Sequence, residues 1–338
     1  MKWLFFLFLL SSCAQVTSLN MQKHEFGVVP TKIIWFQIAG LEEEQLAMLR
    51  FHYSGERKTA FEENTCMGKS WNYNLYDLRT TAEASFLAQL TGKKNIKMNC
   101  EDAELRPVWN YLSGHGYSTG ILEVGSTNKQ SLLAMNACEE KGSNFLNSLY
   151  FWLRKEAPAG AVKFNYRESI PLVMNQFNYD VNCDKNGCSS SITDDFKNIS
   201  QAFTKVSNKH LLIVRDFSYL EALDKKDFVK ARNILGDLER SLAEALANAK
   251  NSNNYLVLVT SGESRFVDMP NQGKQWFDFE KSGANANMKR TKLTNLVLAT
   301  GARSENFCGM YDDSQVLERL LSGPKQLGLE LMFINPFK

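Results

Sequence analysis

The stretch Asp227–Ser264, DFVKARNILGDLERSLAEALANAKNSNNYLVLVTSGES, reads as helix, turn and strand. Phe228, Ala231, Leu235, Leu238, Leu242, Ala245 and Ala249 recur at alternating intervals of three and four, which lays one apolar stripe along a long helix. The polar cluster Asn251–Asn254 stops that helix. Tyr255–Thr260 is too short for another helix and rich in β-branched residues, so it reads as a buried strand. Upstream, Leu211–Val214 is a second apolar run. Strand, helix and strand in this order form a crossover unit of a parallel sheet, and in such sheets a site lies outside the carboxyl ends of the strands. Here that end is Thr260–Arg265.

The same reading extends over the chain. Lys32–Ile38, Gly120–Val124 and Leu293–Thr300 are expected strands, with a last short one at Leu331–Ile334. Leu41–His52, Ala82–Leu90, Ala103–Leu112, Lys129–Glu140, Asn144–Lys155 and Asp312–Ser322 are expected helices. Glu63–Thr81 reads as a polar, aromatic loop, and Phe266–Lys289 as a long irregular one. No internal repeat or linker divides the chain. The expected fold class is α/β: a doubly wound, mostly parallel sheet with helices on both faces, in one domain over residues 30–338.

Composition narrows the function classes. At 44% hydrophobic and 22% charged, the 338 residues make a globular chain able to bury a full core. A formal net charge of +2, without basic runs interleaved with aromatics, gives no case for nucleic acid.

The amino terminus carries a targeting signal. After Met1-Lys2, the apolar run Trp3–Leu10 has the length of a signal-peptide core and is too short to span a bilayer. Leu10-Ser11-Ser12-Cys13 follows and resembles the bacterial lipobox. The resemblance implies a signal peptide over 1–12, acylation (palmitate) at Cys13 and a polar tether over 13–29. Ala14 after the Cys implies sorting to the outer membrane of a Gram-negative bacterium, facing the periplasm. Export also permits disulfides among Cys66, Cys100, Cys138, Cys183, Cys188 and Cys308. Cys183 and Cys188 flank the turn Lys185-Asn186-Gly187 and are expected to pair locally; the other pairings stay open.

The order of elements resembles the alkaline phosphatase superfamily, in particular its sulfatase and phosphodiesterase-like members. The opening strand followed by Gly40 and a helix matches that family's start. Thr80–Gly92 resembles its nucleophile segment, Gly116-Tyr117-Ser118-Thr119 its Gly-Tyr-x-Thr turn, and Ala231–Ser261 its long helix running into a Thr-Ser strand end. The resemblance implies an alkaline phosphatase-like fold and a metal centre that holds ester oxygens and activates a nucleophile. The family's first ligand is an Asp where this chain has Ala39; its Asp-His-Gly after the Thr-Ser is here Gly262-Glu263-Ser264. Neither a methyl group nor a hydrogen coordinates a cation. Only four His are present: His24 in the tether, His52 at a helix end, His210 at a strand start, and His115 in a turn.

The expected function is therefore a non-catalytic binding or scaffold protein with a degenerate metal centre and no cofactor. The alternative is a metal-dependent hydrolase of phosphate or sulfate esters with a rewired site, Thr81 or Thr80 acting as nucleophile. One of the two Thr reads equally as the N-cap of the helix. Candidate ligand-binding residues are Glu263, Asp216, Asp268, Arg303, Trp71 and Asn74. Asp216 lines the cleft or pairs with Arg215; Asp268 forms a carboxylate pair with Glu263 or is turn chemistry; Trp71, Tyr73 and Tyr76 with Asn72 and Asn74 form a stacking platform or a self-packed lid. Gly301–Gly309 reads as a loop at the same sheet edge, either with Arg303 facing an anion or structural and held by a Cys308 disulfide. The partners implied are a membrane, through the lipid at Cys13, and a small anion, sugar or protein ligand.

Overall fold

The computed structural model describes residues 28–53, 57–127, 129–138 and 145–322. Cys13, the signal peptide, most of the tether and the expected strand Leu331–Ile334 lie outside the described residues.

The strands are β1 (Lys32–Ala39), β2 (Cys66–Trp71), β3 (Ser118–Val124), β4 (Leu149–Arg154), β5 (Lys163–Phe164), β6 (Phe177–Asp180), β7 (Cys183–Asp184), β8 (Gly187–Cys188), β9 (His210–Asp216), β10 (Tyr255–Gly262), β11 (Arg265–Asp268), β12 (Asn287–Thr291), β13 (Thr294–Gly301) and β14 (Gly309–Asp312). The α-helices are α1 (Ala47–His52), α2 (Ala82–Thr91), α3 (Val108–Ser113), α4 (Leu133–Asn136), α5 (Ile192–Thr204), α6 (Ser218–Asp224), α7 (Phe228–Lys250), α8 (Gly273–Ser282) and α9 (Gln315–Leu321). Ten strands form one sheet in the order β14-β2-β13-β10-β1-β9-β3-β4-β6-β5. In it β1 runs parallel to β9 and β10, β3 to β9 and β4, and β4 to β6, while β13 is antiparallel to both β10 and β2.

The two faces follow from strand alternation. Ile34, Phe36, Leu212, Val214, Val257 and Val259 point to the face covered by α7, through Leu235, Leu238 and Leu242, and by α5, through Phe196, Ile199 and Phe203. Ile33, Trp35, Leu211, Ile213, Leu256 and Leu258 point to the other, covered by α2, α3 and α9. Both faces are thus dry, which is why the central strands read as continuous apolar runs rather than as alternating ones. The apolar stripe read from the sequence is the buried side of α7, and Asp227 caps that helix by accepting from the Lys230 N–H at 3.0 Å.

Several segments differ from their sequence expectations. Of the expected helices, the described part of Lys129–Glu140 holds only the single turn α4, and Ala103–Leu112 is α-helical only from Val108. Asn144–Lys155, expected as a helix, contains the strand β4, all six of whose residues are buried. A fully buried parallel strand and a buried helix both present unbroken apolar runs, so spacing alone does not separate them. The expected loop Glu63–Thr81 supplies β2 to the sheet. Phe266–Lys289 is ordered as part of the β11–β12 ribbon with α8 between its strands.

Three disulfides are present: Cys66–Cys308, Cys100–Cys138 and Cys183–Cys188, the last as expected. Among the described residues no helix is long and apolar enough to cross a membrane.

Candidate functional site

The carboxyl ends of β1, β9 and β10 meet where a parallel sheet conventionally places its chemistry. The parallel registers set Ala39 beside Gly262, and Ile38 beside both Ser261 and Asp216. α2 starts immediately above Gly262: a Cβ built there would meet the Phe86 ring at 2.8 Å and the Ala82 carbonyl oxygen at 3.2 Å.

What fills this corner is apolar. Ala39, Ala82, Phe86, Phe217 and Leu220 form a separate buried cluster, none more than 4% exposed. The Phe86 and Phe217 rings meet edge to face, 5.6 Å between centroids. Gly40, in left-handed backbone at φ 86°, turns the chain away from β1 against Leu220, whose Cα would lie 3.3 Å from an added Cβ. The residues do not fit a metal ion. Both positions expected to carry ligands lack donor atoms, and the space is occupied by hydrocarbon that would have to desolvate the charge. Among the described residues no group of three or more His, Cys, Asp or Glu side chains is placed to hold an ion.

Glu263 follows the plug in left-handed backbone, φ 54°. Its Oε2 accepts from the Ala82 N–H at 2.9 Å, and its Oε1 lies 2.7 Å from Arg265 Nη2. Arg265 also reaches Asp224 at 3.1 Å. Burial raises the Glu263 carboxyl above its ordinary range, and Arg265 opposes that shift. The first free donor of α2, where the macrodipole favours an anion, is therefore bonded to the chain's own carboxylate. Thr81 is the N-cap of α2, its hydroxyl accepting from the Ala84 N–H at 3.4 Å. Thr80 is buried and donates to the Asn72 side chain. Both threonines are placed as local structural groups.

The remaining candidates separate. Asp216 is fully buried and caps α6, accepting from the Tyr219 N–H at 2.9 Å and from the Ser218 hydroxyl at 2.7 Å. Arg215 is also buried but pairs with Glu123 across β3 at 2.8 Å, so the two neighbours, on opposite faces of β9, form neither a cleft lining nor a surface pair. Asp268 sits exposed on the β11–β12 ribbon with Lys289 at 3.0 Å, while Glu263 engages Arg265; they keep separate partners. Arg303 lies at the opposite edge. Because β13 runs antiparallel, its last residue pairs with Leu256 near the start of β10, and the loop after it cannot reach the carboxyl edge. His115 precedes β3 and shares that wrong edge with His210. Asn74 is buried, its Oδ1 accepting from the Tyr76 and Asp77 N–H groups at 2.8 and 2.7 Å, which makes it a loop brace. Trp71 does stand at the carboxyl edge, where β2 ends, and the segment after it exposes Leu75, Tyr76 and Leu78 to solvent.

Sequence reasoning missed a buried polar network beneath α2. Asp313 accepts from the Ser70 hydroxyl, from the Ser85 hydroxyl at 2.5 Å, from Asn295 Nδ2 at 2.8 Å and from Gln89 Nε2 at 3.4 Å. Burial pushes its carboxyl up to about 6, against the pull of these donors. Its members are dispersed over β2, α2, β13 and the turn after β14, and none has a motif to announce it.

No protein-family model and no curated protein sequence matches the chain. Solved structures do. The alkaline phosphatase of Thermus thermophilus superposes with a TM-score of 0.69 over 95% of this chain and 99% of its own, at 11% identity. That of the Antarctic bacterium TAB5 gives 0.65 over 87% and 98%, at 13% identity. The lipoteichoic acid synthase LtaP of Listeria monocytogenes gives 0.51 over 86% and 71%, at 10% identity. The chain has an alkaline phosphatase-like fold.

Proposed function

We propose that this alkaline phosphatase-like chain is a non-catalytic binding or scaffold protein of the bacterial envelope, held on the periplasmic side of the outer membrane by a lipid on Cys13. The observation that carries the non-catalytic reading is the plug of Ala39, Phe86, Phe217 and Leu220 at the strand ends. Metal-assisted ester chemistry needs oxygen or nitrogen ligands and an activated nucleophile there. In this chain the ligand positions are alkyl or hydrogen, the Glu263 carboxylate is paired with Arg265, and Thr81 serves as the N-cap of α2. The exposed Trp71–Leu78 segment at the same edge supports a docking role. The anchoring half rests on Trp3–Leu10 and Leu10–Cys13.

The test is a pair of measurements on protein purified without chelator. Divalent ions per chain are counted after incubation with manganese, zinc and calcium, and hydrolysis of phosphate and sulfate esters is assayed beside Thr81→Ala. The reading expects no stoichiometric ion and no turnover above background; turnover that Thr81→Ala abolishes would establish the hydrolase instead. Anchoring is checked separately: full-length protein should fractionate with the outer membrane, and Cys13→Ser should release it.

A further inference from the structure

Open space at the carboxyl edge adjoins the plug through α6, where Ser218 and Glu221 line the space while Phe217 and Leu220 belong to the plug. A cleft of about 1040 Å³ is bounded by the ends of β3 and β4, the β7–β8 hairpin, α6 and the first turns of α7. This is room for more than a single sugar-sized molecule.

Its floor is built. Arg154, at the end of β4, is only 2% exposed. Its Nη2 donates to the Ser190 carbonyl at 2.6 Å and to the Ser190 hydroxyl at 3.1 Å, and its Nε lies 2.7 Å from Asp195 Oδ2. The Ser190 hydroxyl lies 3.0 Å from Asp180 and 2.9 Å from Asp195, joining both carboxylates to the same anchor. The rim carries both signs of charge, but its acids largely have partners. Glu221 pairs with Lys225, Asp237 with Arg240, and Asp184 Oδ1 accepts from the Asn186 N–H at 2.7 Å to hold the hairpin turn. On the cationic side, Lys185 from the hairpin and Lys230 from α7 line the cleft with no ion pair among the described residues. Lys155 lines it too, half-buried beside Arg154. Lys185 and Lys230 thus border one space from two separate segments, and Glu156 and Asp184 are its acids without an ion pair among the described residues.

We propose that this cleft is the ligand site of the protein, and that it takes a small polar molecule carrying carboxylate or phosphate oxyanions, held by Lys185 and Lys230. The proposal rests on the binding reading above and places the binding beside the plugged corner rather than in it. Mobile lysines at a rim suit a ligand with several dispersed oxyanions better than one planar group, which would call for an arginine fork.

The probes are citrate and inorganic phosphate, with maltotriose as the neutral comparison, titrated by calorimetry into the purified chain. Citrate is expected to bind, maltotriose not, and added sodium chloride to weaken the citrate signal. Lys185→Gln and Lys230→Gln, both at exposed positions, should each weaken citrate by about fivefold and together by about twentyfold, the scale of solvent-accessible ion pairs. Lys274→Gln, on α8 and not part of the cleft, should leave it unchanged. Circular dichroism verifies that each variant is folded. Citrate binding that survives the double variant overturns the proposal, as does the absence of citrate and phosphate binding at 10 mM ligand, roughly the millimolar limit of weak association. Binding that disappears in Arg265→Gln but not in the lysine variants likewise overturns it and returns the ligand to the α2 start. Phosphate-ester turnover, assayed in the same preparation, would instead refute the non-catalytic reading while the citrate titration still judges the cleft.

Discussion

Placing a carboxylate at the end of β1 should unfold the corner rather than create an ion site. Ala39 is completely buried among Phe86, Phe217 and Leu220. One buried cation beside the cluster, Arg215, lies with its guanidinium 5.3 Å from the Phe217 ring centroid and is already paired with Glu123. Ala39→Asp therefore places an acid without a partner in hydrocarbon, and it will take up a proton rather than stay charged. Holding a carboxyl neutral at pH 7 against an ordinary value of about 3.9 costs about 4 kcal/mol. The added volume in a filled site costs a further 1–3 kcal/mol, roughly. Ala39→Asn bears the volume without the charge. Urea unfolding of both variants at pH 7 should show Asp less stable than Asn by up to about 4 kcal/mol, the gap shrinking to about 1.5 kcal/mol at pH 5. Equal stabilities at pH 7 would refute the reasoning. So would recovery of the Asp variant on adding manganese or zinc, since that would mean the corner opens to an ion.

Other perturbations follow from the same contacts. Glu263→Ala removes both the Ala82 N–H acceptor and the Arg265 pair and should cost about 1–2 kcal/mol by urea midpoint, with Glu263→Gln milder because it keeps an oxygen for the amide. Asp195, Asp216 and Asp313 are each pushed to about 6 by burial. The folded chain thus retains protons that the unfolded chain releases near pH 4, so stability falls as pH rises from about 4 to 6, and Asp313→Asn should flatten that slope in a pH series of denaturation curves. Losing Cys66–Cys308, which spans 242 residues, should cost about 5 kcal/mol on the chain-entropy argument. Losing Cys183–Cys188, which spans 5, should cost about 2 kcal/mol, a difference that paired Cys→Ala variants resolve by thermal melting.

The parts of the fold legible in the sequence were those where one period dominates. The Phe228–Ala249 stripe and the Tyr255–Thr260 run each admit one reading, and between them they fix a crossover. β4 was misread because burial on both faces erases the period-two signal. The direction of β13 was invisible, since an apolar strand carries no mark of its polarity, and that alone moved Arg303 to the wrong edge. At the site, the absent ligands at Ala39 and Gly262 were readable by position. What fills the corner was not: Phe86 and Phe217 are far apart in sequence, and an aromatic side chain reads the same whether it faces the core or a corner at the strand ends. Asp216 and Asn74 looked available as polar residues near strand ends, yet nearby backbone N–H groups claim both.

The Glu263 carboxylate on the Ala82 amide behaves as a permanently attached competitor. A group carried by the residue directly after the strand is present at its own binding spot at an effective concentration of roughly millimolar or higher. A free anion approaching the start of α2 must outcompete it at that concentration, not at zero, and must also displace it from Arg265. Weak anion binding at this corner would therefore go unseen in the native chain even if every other contact for it were intact. A Glu263 variant is the background against which the corner's intrinsic affinity becomes measurable.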